Sequence, residues 1–202
     1  MDQSLERSSG GFCVRPVVFL VFINNLDQGI ASNILKFADD TKIFKKVRDN
    51  IDCEALQRDL DNVILWAQKW QMEFNTKKCK VMHVGRQTDS CEYYMGGSKL
   101  VEETLEKDLG VWISADMKCS QQCRYAVNKA NKILGMIKRA ITYKALRIML
   151  NLYKTLVRPH VEYCVSAWSP YYKKDKELLE KVQWRFTKMI NGMKGKSYEE
   201  RS

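Results

Sequence analysis

Apolar residues recur at helical spacing in four stretches of the chain. In the first they stand three or four residues apart, at Leu56, Leu60, Val63, Ala67, Trp70 and Phe74. This is the period of an α-helix with one buried face, so the pattern predicts a helix over 52–74. Asp52 is its predicted N-cap, because a carboxylate accepts the free N–H groups of a first turn. Similar faces predict helices over 123–141, 146–157 and 178–190, the last with Asp175 as N-cap.

Shorter patterns predict strands in the first half of the chain. Leu35 and Phe37 alternate with Lys36, and Ile43 and Phe44 follow two aspartates, which indicates two strands joined by an acidic turn. Three further patterns predict a strand over 81–84, a hairpin over 93–101 with a Gly-Gly turn, and a strand over 109–113. The apolar run 17–23 fits a helix or a buried strand equally well.

The type of pattern therefore changes near residue 115. A mixed region of strands and helix comes first, and amphipathic helices follow it, which predicts an α+β fold.

Charge divides the chain at almost the same place. The net charge is +10, but residues 1–100 carry 14 basic and 13 acidic side chains, whereas residues 101–202 carry 20 and 11. No Asp or Glu occurs over 117–161, which holds ten Lys or Arg. A solvated helix face is one explanation, and a surface for a polyanion such as nucleic acid or an anionic membrane is the other. In an α-helix, Arg147, Lys154 and Arg158 would share one face, which suits a phosphate backbone.

Other signals bear on the compartment. The N-terminal residues lack the pattern of a secretory signal, and the apolar run 17–23 is too short to span a bilayer. The seven cysteines are irregularly spaced, with no C-x-x-C pair and only two histidines, which argues against zinc. The chain is thus expected to be intracellular, in nucleus or cytoplasm, not secreted and without a membrane partner, and its cysteines to be small thiols.

The adjacent pair Asp39-Asp40 has two interpretations. Aspartate is common in turns, where its side chain binds local N–H groups. Two carboxylates at the tip of a hairpin also offer the oxygen ligands that hard divalent cations prefer. Such cations can activate a 3′-hydroxyl and neutralise a leaving pyrophosphate.

An ordered series of motifs resembles the reverse transcriptases of non-LTR retrotransposons, the LINE class that includes jockey-like elements. Phe37-Ala38-Asp39-Asp40 resembles the F/Y-x-D-D catalytic turn of that family. The other matching blocks, which extend the resemblance over roughly 10–192, are FLVFINNL at 19–26, WAQKWQMEFN with Lys78-Cys79 at 66–79, DLGV at 108–111, LYK at 152–154, VRPHVEY at 157–163 and AWSP at 167–170.

The resemblance implies a domain plan and a partner set. Residues 1–15 would be a degraded remnant, 16–115 the later part of a polymerase palm, 116–192 a basic helical thumb and 193–202 a tail. An RNA template with a DNA primer, or an RNA–DNA duplex, would be the partner. A dNTP would be the small-molecule substrate if the domain were complemented.

It also implies roles for individual residues. Asp39 and Asp40 would be catalytic and hold Mg²⁺ or Mn²⁺, and Lys78 would assist the leaving pyrophosphate unless it is a solvated lysine. Leu109 and Gly110 would approach the primer terminus. The predicted nucleic-acid contacts on the basic helices are Arg124, Lys132, Arg139, Arg147, Lys154 and Arg158.

Departures from the family pattern bear on activity. The family's other catalytic aspartate lies on an earlier strand, and the chain is expected to start after it and to lack the fingers. Its P-Q-G-S-x-L-x-P segment aligns with residues 9–16 but loses Gln and Ser. A truncated and inactive RNA-directed DNA polymerase is therefore the leading hypothesis. The alternatives are a non-catalytic nucleic-acid-binding remnant and a chain without function, whose unpaired strand edge favours aggregation.

Overall fold

The computed structural model describes residues 20–85 and 91–193, which form two compact units. The first unit comprises residues 20–81 and 91–102, and the second comprises 82–85 and 103–193. The predicted remnant at 1–15 and nearly all of the predicted tail at 193–202 lie outside the described residues. From Glu103 onward the chain belongs to the second unit, which therefore includes residues 103–115 of the predicted palm segment.

The first unit combines two helices, a short 3₁₀ turn and six strands. The described part of α1 covers residues 20–24, so this stretch of the ambiguous run at 17–23 is helical. The other elements are the 3₁₀ turn Asn25–Asp27, β1 (Asn33–Phe37), β2 (Asp40–Phe44), α2 (Asn50–Lys69), β3 (Lys80–Val81), β4 (Tyr94–Met95), β5 (Ser98–Lys99) and β6 (Val101–Glu102).

Helix α2 packs its apolar face into the core of the first unit. Its buried face carries Val63 and Ala67, at the spacing that predicted the helix, and Val63 packs in a core that includes Leu26 and Met95. The predicted N-cap was wrong: Asp49 caps the helix, and its carboxylate accepts from the N–H of Asp52. Asp52 lies in the first turn, where its carboxylate accepts from the N–H of Arg48.

The helix ends earlier than predicted, at Lys69, and the chain turns back at once. Gln71 has a positive φ of 52°, and the N–H of Met72 donates to the carbonyl of Ala67. Phe74 therefore lies beyond the helix, where its ring still packs near Trp66 with centroids 6.4 Å apart.

The small sheets of the first unit are all two-stranded. Strands β1 and β2 pair antiparallel, β4 pairs antiparallel with β5, and β3 pairs parallel with β6. The predicted Gly-Gly hairpin is confirmed, because Gly96 and Gly97 join β4 to β5, both with positive φ. Cys53 on α2 forms a disulfide with Cys91, so the prediction of thiols was wrong for this pair.

The second unit is mainly helical and has one hairpin. The elements are β7 (Leu105–Asp108), β8 (Val111–Ser114), α3 (Ser120–Ala140), α4 (Leu146–Leu152), a π-helix (Tyr153–Val157), α5 (Arg158–Glu162), α6 (Val165–Trp168) and α7 (Lys173–Thr187). Strands β7 and β8 pair antiparallel, so the strand predicted over 109–113 is in part a turn.

Long helices α3 and α7 enclose the main core of the second unit. Leu134 and Ile137 of α3 pack with Met149, Val157 and Phe186, all almost fully buried. Asp175 is not the predicted N-cap of α7, since Tyr172 holds that position. It is instead buried in the first turn, where its carboxylate accepts from the hydroxyl of Ser120 on α3 at 2.6 Å.

The π-helix explains how a helical path continues through a proline. Pro159 has no N–H, and its ring would collide with the carbonyl four residues earlier in a regular helix. That residue, Thr155, lies in the wider π turn, where the backbone is displaced from α geometry. The turn also brings Tyr153 onto Phe186, with ring centroids 4.4 Å apart.

In the described part of the chain, no helix combines the length and the apolar character needed to cross a membrane.

Candidate functional site

The two predicted catalytic aspartates lie at the free end of the β1–β2 hairpin. Phe37 pairs with Asp40 across the ladder, so the loop between the strands is Ala38-Asp39. Ala38 has a φ of 52°, a conformation that costs an L-residue about 1 kcal/mol. Both aspartates are exposed. The tight, strained turn thus presents two carboxylates to solvent at adjacent positions.

One of the residues expected to anchor the hairpin does so. From the sequence, Phe37 and Ala38 before the aspartates and Ile43 and Phe44 after them are expected to hold the hairpin in a core. Ile43 packs against the core of the first unit, together with its ladder partner Ile34, whereas Phe37 and Phe44 are 63% and 49% exposed. Since side chains alternate along a strand, burying this pair turns the phenylalanines and Asp40 to the opposite, exposed face.

A buried carboxylate fixes the chain just ahead of the hairpin. Asp59 of α2 is 3% exposed, and its two oxygens accept from the N–H groups of Ala31 and Ser32 at 2.9 and 2.8 Å. Burial by itself raises the pKa of Asp59, but the Ser32 hydroxyl, the two N–H groups and the charge of Lys45 together hold that pKa below its usual value. Strand β1 starts at the next residue, so this contact fixes the start of the hairpin against α2.

The donor chemistry at the hairpin tip fits a hard divalent cation. Magnesium is held in proteins by one or two carboxylates, with waters and substrate phosphates completing its shell. Asp39 and Asp40 supply those carboxylates. Over residues 20–85 and 91–193, no group of three or more His, Cys, Asp or Glu side chains is placed to hold a metal ion, so a further protein ligand does not come from the described residues.

Lys78 belongs to the same unit as the aspartates. It is exposed on the turn that follows α2, where its N–H donates to the carbonyl of Asn75 at 2.9 Å. Among the described residues it forms no ion pair with Asp39 or Asp40.

Leu109 and Gly110 form the tip of the β7–β8 hairpin in the second unit. Both have positive φ, 43° and 88°. Tyr163 holds this tip: its hydroxyl donates to the carbonyl of Leu109 at 3.0 Å. A Cβ at position 110 would stand 3.0 Å from the Tyr163 ring. Glycine is therefore favoured there by the positive φ of the turn and by the close approach of the tyrosine ring.

The basic residues predicted to bind nucleic acid all lie exposed on the helices of the second unit. Within the part of the chain that the structure describes, only Arg158 among these six residues is paired with a carboxylate: its guanidinium donates to the carboxylate of Glu162 at 2.7 Å. The other five have no carboxylate partner in the described ranges; they are Arg124, Lys132 and Arg139 on α3, Arg147 on α4 and Lys154 in the π-helix.

The shared helix face predicted for Arg147, Lys154 and Arg158 rested on continuous α geometry. The π-helix between α4 and α5 changes the rotation per residue, so the three side chains are exposed but their angular spacing is not that of one α-helix.

Burial lowers the pKa of His160 below its usual value, with the charge of Lys129 acting in the same direction. The imidazole is therefore neutral at pH 7 and adds no charge to this surface.

A family model provides the decisive comparison. The model of the reverse transcriptase (RNA-dependent DNA polymerase) domain matches residues 7–137, well over half of the chain. The chain belongs to the reverse transcriptase family. No curated protein and no solved structure matches it.

Reverse transcriptases bind a nucleic-acid template and primer and generally use divalent metal ions. The region of the chain that the family model matches includes the Asp39-Asp40 hairpin, Lys78 and the turn at Leu109-Gly110. It also includes α3 as far as Ile137. The basic positions from Arg139 onward lie beyond it.

Two residues that position the candidate site residues were not predicted from the sequence. Asp59 stands beside the apolar face of α2, one residue before Leu60, and a carboxylate in that position indicates a buried polar contact. Tyr163 ends the VRPHVEY block at 157–163, but nothing local in the sequence pairs it with Leu109, 54 residues away.

Proposed function

We propose that the chain is the later part of the polymerase domain of a non-LTR retrotransposon reverse transcriptase, a palm segment followed by a helical thumb. The observation that carries the proposal is the exposed Asp39-Asp40 hairpin within a reverse transcriptase match. The LINE-class motifs that continue to residue 170 favour this subtype. We propose the nucleus or the cytoplasm as its place of function, as predicted from the sequence.

The proposed chemistry is two-metal nucleotidyl transfer. Mg²⁺ or Mn²⁺ on the carboxylates would activate the primer 3′-hydroxyl and neutralise the pyrophosphate charge. Asp39 and Asp40 hold their positions through the tight turn and through the Asp59 tether at the start of β1. Lys78 would donate a proton to the leaving pyrophosphate, and Leu109 and Gly110 would lie near the primer terminus.

We further propose that this chain is inactive by itself. Two carboxylates are in place, and the described residues supply no third one beside them. Removing one member of a group that acts as a unit commonly costs several orders of magnitude in rate. A primer-extension assay with oligo(dT) on poly(rA), dTTP and Mg²⁺ or Mn²⁺ is expected to show no product. Extension that disappears in Asp39→Asn would contradict this proposal.

Complementation tests the catalytic assignment separately. A second polypeptide that carries the family's earlier palm strand, with its aspartate, is expected to restore extension. Asp39→Asn and Asp40→Asn should then each reduce the rate by about a thousandfold or more. Asp49→Asn is the matched control: it makes the same chemical change in the same unit, and asparagine is as good an N-cap as aspartate. Equal rates in all three variants would refute the catalytic roles.

A second candidate function is binding of an RNA–DNA duplex without catalysis. It is favoured by the five exposed cations without carboxylate partners among the described residues. Binding should weaken steeply with salt, because phosphate contacts release counterions. Arg147→Glu with Lys154→Glu should then reduce affinity strongly, and Asp39→Asn should not. Arg158→Glu should matter less, because Glu162 already neutralises that guanidinium.

A further inference from the structure

A basic cavity lies in the second unit. Its volume is about 750 Å³, and it is formed by the last three turns of α3, the segment at Lys144 and the end of α7 with the turn after it. The lining residues are Asn131, Leu134, Gly135, Lys138, Lys144, Arg185, Lys188, Met189, Ile190, Asn191 and Gly192.

Four cations and no carboxylate line this cavity. Lys138, Lys144 and Arg185 make no ion pair with any described residue, and Lys188 is held with its ammonium 3.3 Å from the centroid of the Trp184 ring. Four like charges around one concave surface repel one another, and the arrangement is stabilised when an anion binds between them. None of the four belongs to the set predicted to bind nucleic acid.

The wall of the cavity is ordered by the core of the unit. Leu134 and Ile190, each 4% exposed, are members of the main apolar cluster and form its inner surface. The N–H of Asn191 donates to the carbonyl of Lys144 at 3.1 Å and joins the two segments that carry the rim. The cations are therefore arranged around a preformed surface that is apolar at its base.

We propose that this cavity binds the phosphate backbone of a single-stranded nucleic acid. Its volume falls within the range of small-ligand pockets, which suits one or two unpaired nucleotides. A row of phosphates matches the four cations, and unpaired bases match the apolar base. Lys138 and Lys144 also belong to the acid-free stretch 117–161, so the same polyanion extends from the cavity along the helices.

The proposed binding rests on the same class of partner as the proposed function, nucleic acid, but it needs neither metal nor catalysis. The test uses the full chain with short fluorescein-labelled oligo(dT) in EDTA, and measures anisotropy at salt concentrations from about 50 to 200 mM. The cavity variant is Lys144→Gln with Arg185→Gln. The matched control is Lys176→Gln with Lys181→Gln, which removes the same charge from exposed positions of α7 that do not line the cavity.

The cavity variant is expected to bind about tenfold more weakly, as the loss of two charge contacts would imply. The slope of log K against log salt should fall by about 1.4, at about 0.7 per single-strand contact. The control should lose much less on both measures. Thermal unfolding establishes that the variants fold. If the cavity variant does not fold, Lys138→Gln with Lys188→Gln is tested in its place.

Equal losses in the cavity variant and the control would overturn the proposal, since general charge would then explain the binding. So would tighter binding of wild type to oligoglutamate than to oligo(dT) at equal salt, which would assign the cavity to an acidic peptide. Failure of the polymerase proposal would leave the oligo(dT) result unchanged. If the cavity does not bind single-stranded nucleic acid, complementation and the binding of the RNA–DNA duplex through Arg147 and Lys154 would be unaffected.

Discussion

The Asp39-Asp40 hairpin of the first unit and the basic helices of the second are built on different principles. The hairpin is a two-stranded sheet with exposed phenylalanines, a strained turn at Ala38 and a polar tether at Asp59. The helices share a broad apolar core in which Met149 and Val157 are fully buried. A few directional contacts and the packing of Ile34 and Ile43 thus position the acidic pair, whereas extensive packing positions the basic surface.

This difference bears on how each surface responds to mutation. Packing is spread over many neighbours, so surface cations on α3 and α4 can change without loss of the core. A hydrogen-bonded tether depends on one side chain, and its removal leaves buried N–H groups without acceptors. The two regions are therefore expected to fail by different kinds of substitution.

The largest effect is expected from the core of the second unit. Phe186→Ala removes a ring that is 2% exposed and stacked on Tyr153. It should lower the free energy of unfolding of this unit by about 4 kcal/mol. Hydrogen exchange measured by mass spectrometry should accelerate in α3 and α7. Gln183→Ala, at an exposed position of the same helix, should change little, and faster exchange confined to the first unit would contradict the packing described above.

The next largest effect is expected at the tether. Asp59→Ala leaves the N–H groups of Ala31 and Ser32 without their acceptor, at a cost of about 3 kcal/mol. Amides of β1 and β2 should exchange faster, while those of α3 should not. Asp61→Ala is the control on the same helix, since Asp61 is exposed and accepts only from Gln57 among the bonds described. Unchanged exchange in the hairpin would show that Asp59 does not position it.

The β7–β8 tip tests the role of Tyr163. Gly110→Ala combines an unfavourable positive φ with a Cβ 3.0 Å from the tyrosine ring, and should destabilise the second unit by about 2 kcal/mol. Gly97→Ala has a similar φ and open space around it, so it should cost about 1 kcal/mol in the first unit. Urea unfolding of both variants measures the difference, and equal losses would exclude a steric role for Tyr163.

The smallest effect is expected from pH. The pKa of Asp59 is lower in the folded state than its unfolded value near 4. Its contribution to stability is therefore present in full above about pH 4 and is lost as the pH falls through the folded pKa. Hydrogen exchange of the first unit in urea should show this loss in wild type and a flatter profile in Asp59→Asn. Parallel profiles in the two proteins would contradict the assignment.

Much of the fold was predictable because it follows from local patterns. The period of apolar residues indicated α2, α3 and α7, and the Gly-Gly and acidic turns indicated two hairpins. The N-caps were assigned to Asp52 and Asp175, three residues too late in both cases. A carboxylate stabilises a helix in its first turn as well as at its cap, so the presence of an Asp near the helix start does not distinguish the two positions.

The organisation of the sites was less predictable, because it depends on contacts between distant residues. Asp59 binds Ala31 and Ser32 across 28 and 27 residues, and Tyr163 binds Leu109 across 54. The exposure of Phe37 and Phe44 depended on which face of the hairpin packs against the core. Pairwise contacts of this kind leave no periodic signal in the sequence.

By itself, the sequence determined the local elements, the separation of charge between the two halves and the order of motifs, because each of these depends on neighbouring residues. Only the tertiary structure decided that Ile34 joins Ile43 in anchoring the hairpin, that Asp59 fixes the start of β1 and that Tyr163 packs against Gly110. It also decided that Lys138, Lys144, Arg185 and Lys188 surround one cavity. The physical reason is that folding brings together side chains far apart along the chain, and burial then makes each of their polar contacts obligatory.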